Sequence, residues 1–285
     1  MKRTKRKMPS DFNLYLIGDW HVGNVAFARE RLKKDIARIK RDKMGYVGLM
    51  GDLAESIHLG DKRYDPSIHH SDKGNKTAGR FETADQQAGE IAKMLYPIKD
   101  RILWYLTGNH EEKIAKTANS ANMVVRTLGV DIPVGFSVKI ELTPKLKVFA
   151  IHGAGVVRSR AGDRKQVETN DGITLKRRLK DLMGDCMLMA MGHIHSVRIC
   201  SPEPHLMLVD DGDGELKGVY AKASVSPEGV VAVEDRYYCS TGSYLRGFMD
   251  GVTTYSERAM YPPCEIGGVR CEIREDELVG AKKWV

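Results

Sequence analysis

The chain has 285 residues, of which 42% are hydrophobic and 29% are charged, an ordinary composition for a globular protein. At ~150 residues per domain, this length predicts one large domain, or one with a small appendage. Its apolar runs are much shorter than the ~20 residues that span a bilayer. No apolar stretch follows the basic N-terminus, as it would in a secretory signal. We therefore expect a cytoplasmic protein without a membrane segment.

The formal net charge is +7, and much of it lies at the N-terminus. Five of the 45 basic residues fall within the first seven positions: Lys2, Arg3, Lys5, Arg6 and Lys7. The rest of the chain carries 40 basic residues against 38 acidic ones. We expect residues 1–10 to form a basic flexible tail, which can raise the affinity for nucleic acid through counterion release. A solvated tail without a partner is the alternative.

The five cysteines include no CxxC pair, and their number is odd. This pattern disfavours both a disulfide framework and a zinc ribbon.

Short apolar runs alternate with helical periodicities along most of the chain. The pattern predicts strands at 13–17, 46–50, 101–106, 134–142, 147–151 and 187–191, and helices at 25–42, 83–96 and 174–183. Such alternation is typical of an α/β fold with parallel central strands. We expect a main domain over residues 11–250 and a strand-rich C-terminal extension, residues 251–285, packed on its core. Two long loops are predicted at 55–78 and 154–171.

Metal-ligating residue types follow the predicted strands where each strand ends. These residues are Asp19, His21, Asp52, Asn109, His110, His152, His193 and His195. Because the carboxyl ends of strands in an α/β sheet meet at one edge, these eight side chains are expected to form one site. A mixed set of imidazole, carboxylate and amide ligands favours Mn, Fe or Zn over an all-oxygen magnesium site. A carboxylate such as that of Asp52 can bridge two cations.

The same residues resemble the motifs of the calcineurin-like metallophosphoesterases. The five blocks stand in order as Asp19-Trp20-His21, Gly51-Asp52-Leu53-Ala54-Glu55, Gly108-Asn109-His110-Glu111, His152-Gly153 and Gly192-His193-Ile194-His195. The DxHxG and GHxH forms are closest to the DNA repair exonuclease and phosphodiesterase branch. Residues 238–243 are similar to a turn that follows the core in such nucleases. The resemblance implies a four-layered α/β/β/α sandwich with mixed sheets.

The resemblance also implies roles for individual residues. One divalent ion would be held by Asp19, His21 and His195, the other by Asn109, His152 and His193, with Asp52 bridging both. Manganese is the expected metal, with iron, zinc or nickel as alternatives. His110 would act on the leaving oxygen as a general acid. Glu55 stands where the family usually has Asp, and its longer side chain would orient His110.

The function implied is a metal-dependent phosphoric ester hydrolase in which a metal-bridging hydroxide attacks phosphorus in line. A phosphodiesterase or nuclease acting on DNA, RNA or nucleotides is expected, with Arg158 and Arg160 of the second long loop binding substrate. Two alternatives stay open: a phosphomonoesterase acting on a small metabolite or phosphoprotein, and a non-catalytic nucleic-acid-binding subunit with a relic metal site. A homodimer is also left open.

Overall fold

The computed structural model describes residues 1–57, 83–114, 119–210, 212–220 and 225–285. The strands in these ranges are β1 Lys2–Lys5, β2 Phe12–Ile17, β3 Gly45–Leu49, β4 Ile102–Leu106, β5 Val134–Gly135, β6 Ser137–Glu141, β7 Lys147–Ile151, β8 Leu188–Met191, β9 Arg198–Cys200, β10 Leu206–Asp210, β11 Leu216–Tyr220, β12 Tyr237–Ser240, β13 Gly268–Arg274 and β14 Glu277–Trp284. The helices are α1 Arg29–Arg41, α2 Ala84–Leu95, α3 Asn109–Ile114, α4 Ser120–Leu128, α5 Arg164–Leu179 and α6 Tyr255–Arg258. Most of the predicted loop at 55–78 lies outside the described residues.

Two six-stranded sheets, each mixing parallel and antiparallel pairs, form the body of the protein. The first has the strand order β14-β13-β2-β3-β4-β5, and the second the order β1-β6-β7-β8-β12-β9. The run β2-β3-β4-β5 is parallel, and so is the run β7-β8-β12. Strands β10 and β11 form a separate two-stranded ribbon. The predicted mixed α/β class is therefore confirmed.

Apolar side chains bury both faces of each sheet's central strands. Leu14 of β2 shares a buried cluster with Leu188 of β8, which joins the inner faces of the two sheets. The next side chains along β2 point the other way, because successive residues of a strand alternate between faces. Ile17 accordingly packs in a second cluster with Leu32 of α1. A third cluster packs Leu175 of α5 on the outer face of the second sheet.

The helices match the sequence expectation where their apolar face is continuous. Helix α2 begins where predicted, because the Thr83 side chain and Gln86 form a capping box. Helix α5 begins at Arg164, much earlier than the predicted start at 174. The Asp163 side chain caps this helix by accepting a hydrogen bond from the backbone N–H of Gln166 at 3.0 Å. The first turns of α5 are polar, so hydrophobic periodicity could not find them. Among the described residues, no helix is long and apolar enough to cross a bilayer.

The predicted strand at 134–142 is two strands in different sheets. Strand β5 pairs with β4 in the first sheet, whereas β6 pairs with β7 in the second. Phe136, between them, accepts a backbone hydrogen bond from His152 at 3.1 Å. This hydrogen bond connects His152, directly after β7, to the segment that links the first sheet to the second.

The two ends of the chain contribute strands to the sheets. The expectation of a flexible tail at residues 1–10 is corrected in part, because Lys2–Lys5 form β1, parallel to β6 at the edge of the second sheet. Lys5 pairs with Glu141, and the Arg6 side chain donates to the carbonyl of Ile102 at 3.0 Å. In the segment 251–285, β13 lies directly beside β2 in the first sheet.

Candidate metal centre

The predicted ligands come together beyond the carboxyl ends of parallel strands from both sheets. Three groups of side chains have their ligand atoms within 4.8 Å of one another: Asp19, His21 and His195; His21, Asp52 and His110; and Asp52, His152 and His193. His21 and Asp52 each belong to two of these groups. Side chains from five separate turns thus form one continuous cluster that could hold metal.

Five of these residues have backbone conformations that residues other than glycine rarely adopt. Their φ angles are +51° for Asp19, +53° for His21, +48° for Asp52, +69° for His193 and +51° for His195. A non-glycine residue in the left-handed region costs on the order of 1–3 kcal/mol, and such residues cluster at functional sites. The surrounding turns therefore hold these side chains in place against a local conformational cost.

The first group is built around the buried carboxylate of Asp19. His195 Nε2 lies 3.2 Å from Asp19 Oδ1 and 3.3 Å from His21 Nε2. The other carboxylate oxygen accepts the backbone N–H of His193 at 3.1 Å. Asp19 Oδ1 accepts no hydrogen bond within the described part of the chain, although it is buried. A cation at this point would give that oxygen a partner.

The third group is built around Asp52. His152 Nε2 lies 3.2 Å from Asp52 Oδ2 and 3.3 Å from Asn109 Oδ1. The rings of His152 and His193 are 5.2 Å apart in an edge-to-face arrangement. Asp52 Oδ1 accepts the backbone N–H of His110 at 2.9 Å. Asp52 also shares a group with His21, so its carboxylate lies near ligand atoms of both the first and the third group.

Hydrogen bonds at the far side of two imidazoles determine which ring nitrogen faces the cluster. His152 Nδ1 lies 2.8 Å from the carbonyl of Met50, which can only accept, so Nδ1 carries the proton. His21 Nδ1 lies 2.8 Å from Glu55 Oε2. In the neutral rings, both Nε2 lone pairs then point into the cluster. Metal-ligating histidines are oriented in this way, with the second nitrogen donating to a carboxylate or a carbonyl.

Glu55 holds His21 rather than His110. Its carboxylate is hydrogen-bonded to His21, whereas His110 Nδ1 is 4.0 Å from Glu55 Oε2. His110 is bound instead by the main chain, because Nδ1 lies 2.7 Å from the Glu55 carbonyl oxygen. The expectation that the Glu55 carboxylate orients His110 is therefore corrected. Because the side chain of Glu is longer than that of Asp, the Glu55 carboxylate reaches His21, a member of the candidate ligand groups.

Glu111 holds the turns of Asp52 and Asn109 together, a role that hydrophobic periodicity and ligand spacing do not predict. Its Oε2 accepts the backbone N–H groups of Asp52 at 2.9 Å and Gly108 at 2.6 Å. Its Oε1 accepts from Leu53 at 2.8 Å and Ala54 at 3.3 Å. The side chain is buried. The signal available in the sequence was an acidic residue directly after Asn109-His110.

Two glycines allow the turns to approach one another. A Cβ on Gly108 would lie 2.0 Å from Asp52 Oδ1, and one on Gly192 would lie 2.7 Å from the carbonyl oxygen of Met50. Both distances are far below van der Waals contact, so a larger residue at either position would displace a ligand-bearing turn. The close approach of these turns explains why the blocks that contain Asn109 and His193 begin with glycine.

The charges of the cluster are strongly coupled. Burial lowers the pKa of His21, but the carboxylates of Glu55, Asp52 and Asp19 outweigh it and raise this pKa to about 9. Burial also disfavours protonated His152, yet Asp52 raises its pKa to about 10. Burial raises the pKa of Asp52, but His152 and His110 hold it well below its usual range. The buried carboxylate thus attracts positive charge from its surroundings, as a cation-binding group must.

The predicted substrate-binding arginines differ in their surroundings. The Arg158 guanidinium stacks on the ring of Tyr261, 4.2 Å from its centroid, whereas Arg160 is exposed. The segment that carries them is fixed at Ser159, whose backbone N–H donates to the buried carboxylate of Asp171 at 2.7 Å.

The residues that the sequence predicted as a turn, 238–243, comprise the end of strand β12 and the segment after it, and that segment lies against Asp19, a candidate ligand. The Ser243 hydroxyl donates to the Asp19 carbonyl at 2.8 Å, and the backbone N–H of Tyr244 donates to the same oxygen at 2.9 Å. The Tyr244 hydroxyl in turn donates to Asp35 of α1 at 3.0 Å. This contact fixes the backbone of Asp19 and connects it to the helix layer.

No protein-family model matches the chain, and no curated protein matches its sequence. The functional interpretation therefore rests on the geometry of the ligand groups and on the motifs in the sequence.

Proposed function

We propose that the protein is a dinuclear-metal phosphoesterase. One ion would be held by Asp19, His21 and His195, and the other by Asn109, His152 and His193. The observation that carries this proposal is the position of Asp52, which has a carboxylate oxygen within 4.8 Å of a ring nitrogen of His21 in one group and of ring nitrogens of His152 and His193 in another. A bridging carboxylate is what a pair of cations ~3.5–4 Å apart requires.

The donor set fits such a pair. The Nε2 atoms of His21 and His195 are 3.3 Å apart, and Asp19 Oδ1 is buried beside them without a hydrogen bond in the described chain. Lone pairs that converge in this way repel one another unless a proton or a cation lies between them. Four imidazoles with two carboxylates and an amide favour Mn, Fe, Zn or Ni over Mg. Manganese is the metal that we propose to test first.

Bound divalent ions would supply Lewis-acid polarisation of a phosphoryl oxygen and lower the pKa of a water held between them. The residues of the chain supply the remaining functions. The Glu55 and Met50 oxygens keep the two imidazole rings oriented, and Glu111 fixes the turns of Asp52 and Asn109. The buried positions of Asp19 and Asp52 exclude water that would otherwise compete for their oxygens.

His110 is the candidate general acid of the proposed reaction. With Nδ1 donating to the Glu55 carbonyl, the protonated ring has its second N–H at Nε2. The ring lies edge-to-face with His21, 4.6 Å between centroids, and is partly exposed. We propose that His110 gives the Nε2 proton to the leaving oxygen as a general acid.

The proposed substrate class is a phosphodiester, as in DNA, RNA or nucleotides, with Arg158 and Arg160 as candidate contacts to it.

The two buried apolar clusters on either side of the paired sheets support the finer four-layered α/β/β/α arrangement. This layer arrangement is the one that the motif resemblance to calcineurin-like metallophosphoesterases implies.

The test is hydrolysis of bis-p-nitrophenyl phosphate, p-nitrophenyl phosphate and single-stranded DNA with Mn²⁺, Fe²⁺, Zn²⁺ and Ni²⁺. We expect turnover of the diester with Mn²⁺ and loss of turnover in His110→Ala. Preference for the monoester would favour a phosphomonoesterase. Folded wild-type protein that hydrolyses none of these compounds with any of the metals would refute the proposal.

A further inference from the structure

The guanidinium of Arg158 has a buried nitrogen, Nη1, that makes no hydrogen bond in the described part of the chain. Arg31 and Arg270 also have such a nitrogen, but each is paired through another one. Arg31 pairs with Asp35 at 2.9 Å, and Arg270 pairs with Glu272 at 3.3 Å. Arg158 has no carboxylate partner among the residues that the structure describes. Because a guanidinium only donates hydrogen bonds, the group that matches it is an anion with oxygen acceptors.

The Arg158 side chain is held in place from two sides. Its guanidinium lies over the Tyr261 ring, 4.2 Å from the centroid. The backbone N–H of the next residue, Ser159, donates to the buried carboxylate of Asp171 at 2.7 Å. Asp171 in turn pairs with Arg198 at 2.8 Å, which anchors the segment to β9. An arginine fixed in this way loses little conformational freedom when it binds a ligand.

The acidic residues closest to this segment are engaged elsewhere. Asp171 is occupied by the two contacts just described. Burial raises the pKa of the Cys264 thiol, an increase that the charge of Arg158 opposes and that of Glu265 reinforces. Glu265 itself pairs with Lys283 at 2.8 Å. Neither carboxylate therefore neutralises Arg158.

The anchored segment is connected to both ends of the candidate metal centre. Arg158 lies six residues after His152, and six residues span at most ~22 Å. Arg198, the outer member of the anchoring ion pair, lies three residues after His195. The carboxylates of the ligand groups pair with histidines rather than with Arg158. This arrangement favours an anion that lies near the metal centre but is not the group at the ions.

Positive charge continues along the same segment beyond Arg158. Arg160, Arg164 and Lys165 follow it, and all three are exposed. A nucleic acid strand carries a phosphate at every nucleotide, so it can follow such a row of cations. A compact nucleotide cannot. The charge distribution therefore favours a strand over a small phosphate ester.

We propose that Arg158 binds a phosphate group of the substrate other than the one at the metal centre, and that the substrate is a nucleic acid strand. This inference rests on the proposed function and narrows its substrate class. Arg158 is then a residue for substrate affinity, with no part in the chemical step. Its loss should weaken binding of a strand and leave a diester with a single phosphate unaffected.

Fluorescence anisotropy of labelled octathymidylate in EDTA measures binding without hydrolysis. Arg158→Gln should weaken binding about tenfold, the effect of one hydrogen bond to a charged group. The slope of log affinity against log salt should fall by ~0.7, as for one phosphate contact of a single strand. Arg158→Lys keeps the charge and should keep the slope, which a purely structural role of Arg158 would not predict.

The matched control is Arg126→Gln, which removes the same charge from an exposed position in the last turn of α4. This end of α4 leads to the amino end of β5, and the ligand groups lie at the opposite edge of the sheet. Arg126→Gln should bind the octamer as wild type does.

Steady-state kinetics with Mn²⁺ separates this inference from the proposed function. In Arg158→Gln, KM for octathymidylate should rise about tenfold at unchanged kcat, whereas KM for bis-p-nitrophenyl phosphate should stay the same. Wild-type protein that hydrolyses neither compound would refute the proposed function, and the anisotropy result would still decide whether Arg158 binds phosphate.

Equal affinity of wild type and Arg158→Gln for the octamer would overturn the inference, as would an equal loss in Arg126→Gln. A parallel rise in KM for bis-p-nitrophenyl phosphate would place Arg158 at the phosphate on the ions and overturn it too. Thymidine triphosphate that displaces the labelled octamer as well as unlabelled octamer does would contradict the choice of a strand.

Discussion

Removal of the Glu111 carboxylate should weaken both the fold and the metal centre. In Glu111→Ala, the backbone N–H groups of Asp52, Leu53 and Gly108 lose acceptors at 2.9, 2.8 and 2.6 Å. An unsatisfied buried donor costs about 1–3 kcal/mol, and water that enters the vacated space offsets part of this cost. We expect the free energy of unfolding to fall by about 3–5 kcal/mol. Because the turns of Asp52 and Asn109 are no longer fixed together, Mn²⁺ affinity should fall 10–100-fold.

Urea denaturation followed by circular dichroism measures the first effect, and isothermal titration calorimetry with Mn²⁺ measures the second. Glu111→Gln keeps one acceptor oxygen and should lose about half as much stability, since its amide group meets N–H donors on the other side. The matched control is Glu112→Ala, which removes the same side chain at an exposed position one residue along α3. If Glu111→Ala were as stable as Glu112→Ala and bound Mn²⁺ equally well, our interpretation of Glu111 would be wrong.

Three further predictions concern the cluster itself. Asp52→Asn removes the shared charge, so calorimetry should show at least tenfold weaker binding of both ions; loss of a single ion would contradict a bridging role. His110→Ala should keep both ions bound while turnover of bis-p-nitrophenyl phosphate falls by about 10²–10⁴-fold; loss of an ion would instead make His110 a ligand. Protons compete with the metal for Nε2 of His21 and His152. Burial lowers the pKa of both histidines, but neighbouring carboxylates outweigh burial and raise the pKa of His21 to about 9 and that of His152 to about 10. Mn²⁺ affinity should therefore keep rising from pH 6 through pH 9, and an affinity that levelled off by pH 7.5, as expected for ordinary histidines, would contradict this assignment.

The predicted ligand positions could be inferred from the order in which polar residues follow apolar runs in the sequence. Asp19, Asp52 and His193 each follow an apolar run, and parallel strands bring such positions to a common edge whatever the intervening loops contain. The strands themselves were recognisable because burial of both faces requires short uninterrupted apolar runs. Positions of this kind could therefore be predicted without knowledge of the packing.

Features that depend on particular contacts rather than on hydrophobic periodicity could not be predicted in the same way. The Glu55 carboxylate binds His21 rather than His110, and this choice is decided by the path of the turn after β3. Helix α5 begins in a polar segment, where its start depends on the Asp163 cap rather than on periodicity. Strand β1 consists largely of charged residues, and only its pairing with β6 makes it a strand. Each of these outcomes is set by a particular contact that hydrophobic periodicity does not reveal.

The most direct test of the metal centre is anomalous diffraction from crystals soaked in Mn²⁺. Our interpretation predicts two manganese peaks ~3.5–4 Å apart, with the Asp52 carboxylate between them, Asp19 and His195 at one, and His152 and His193 at the other. A single peak, no peak, or a pair of ions that Asp52 does not touch would contradict it.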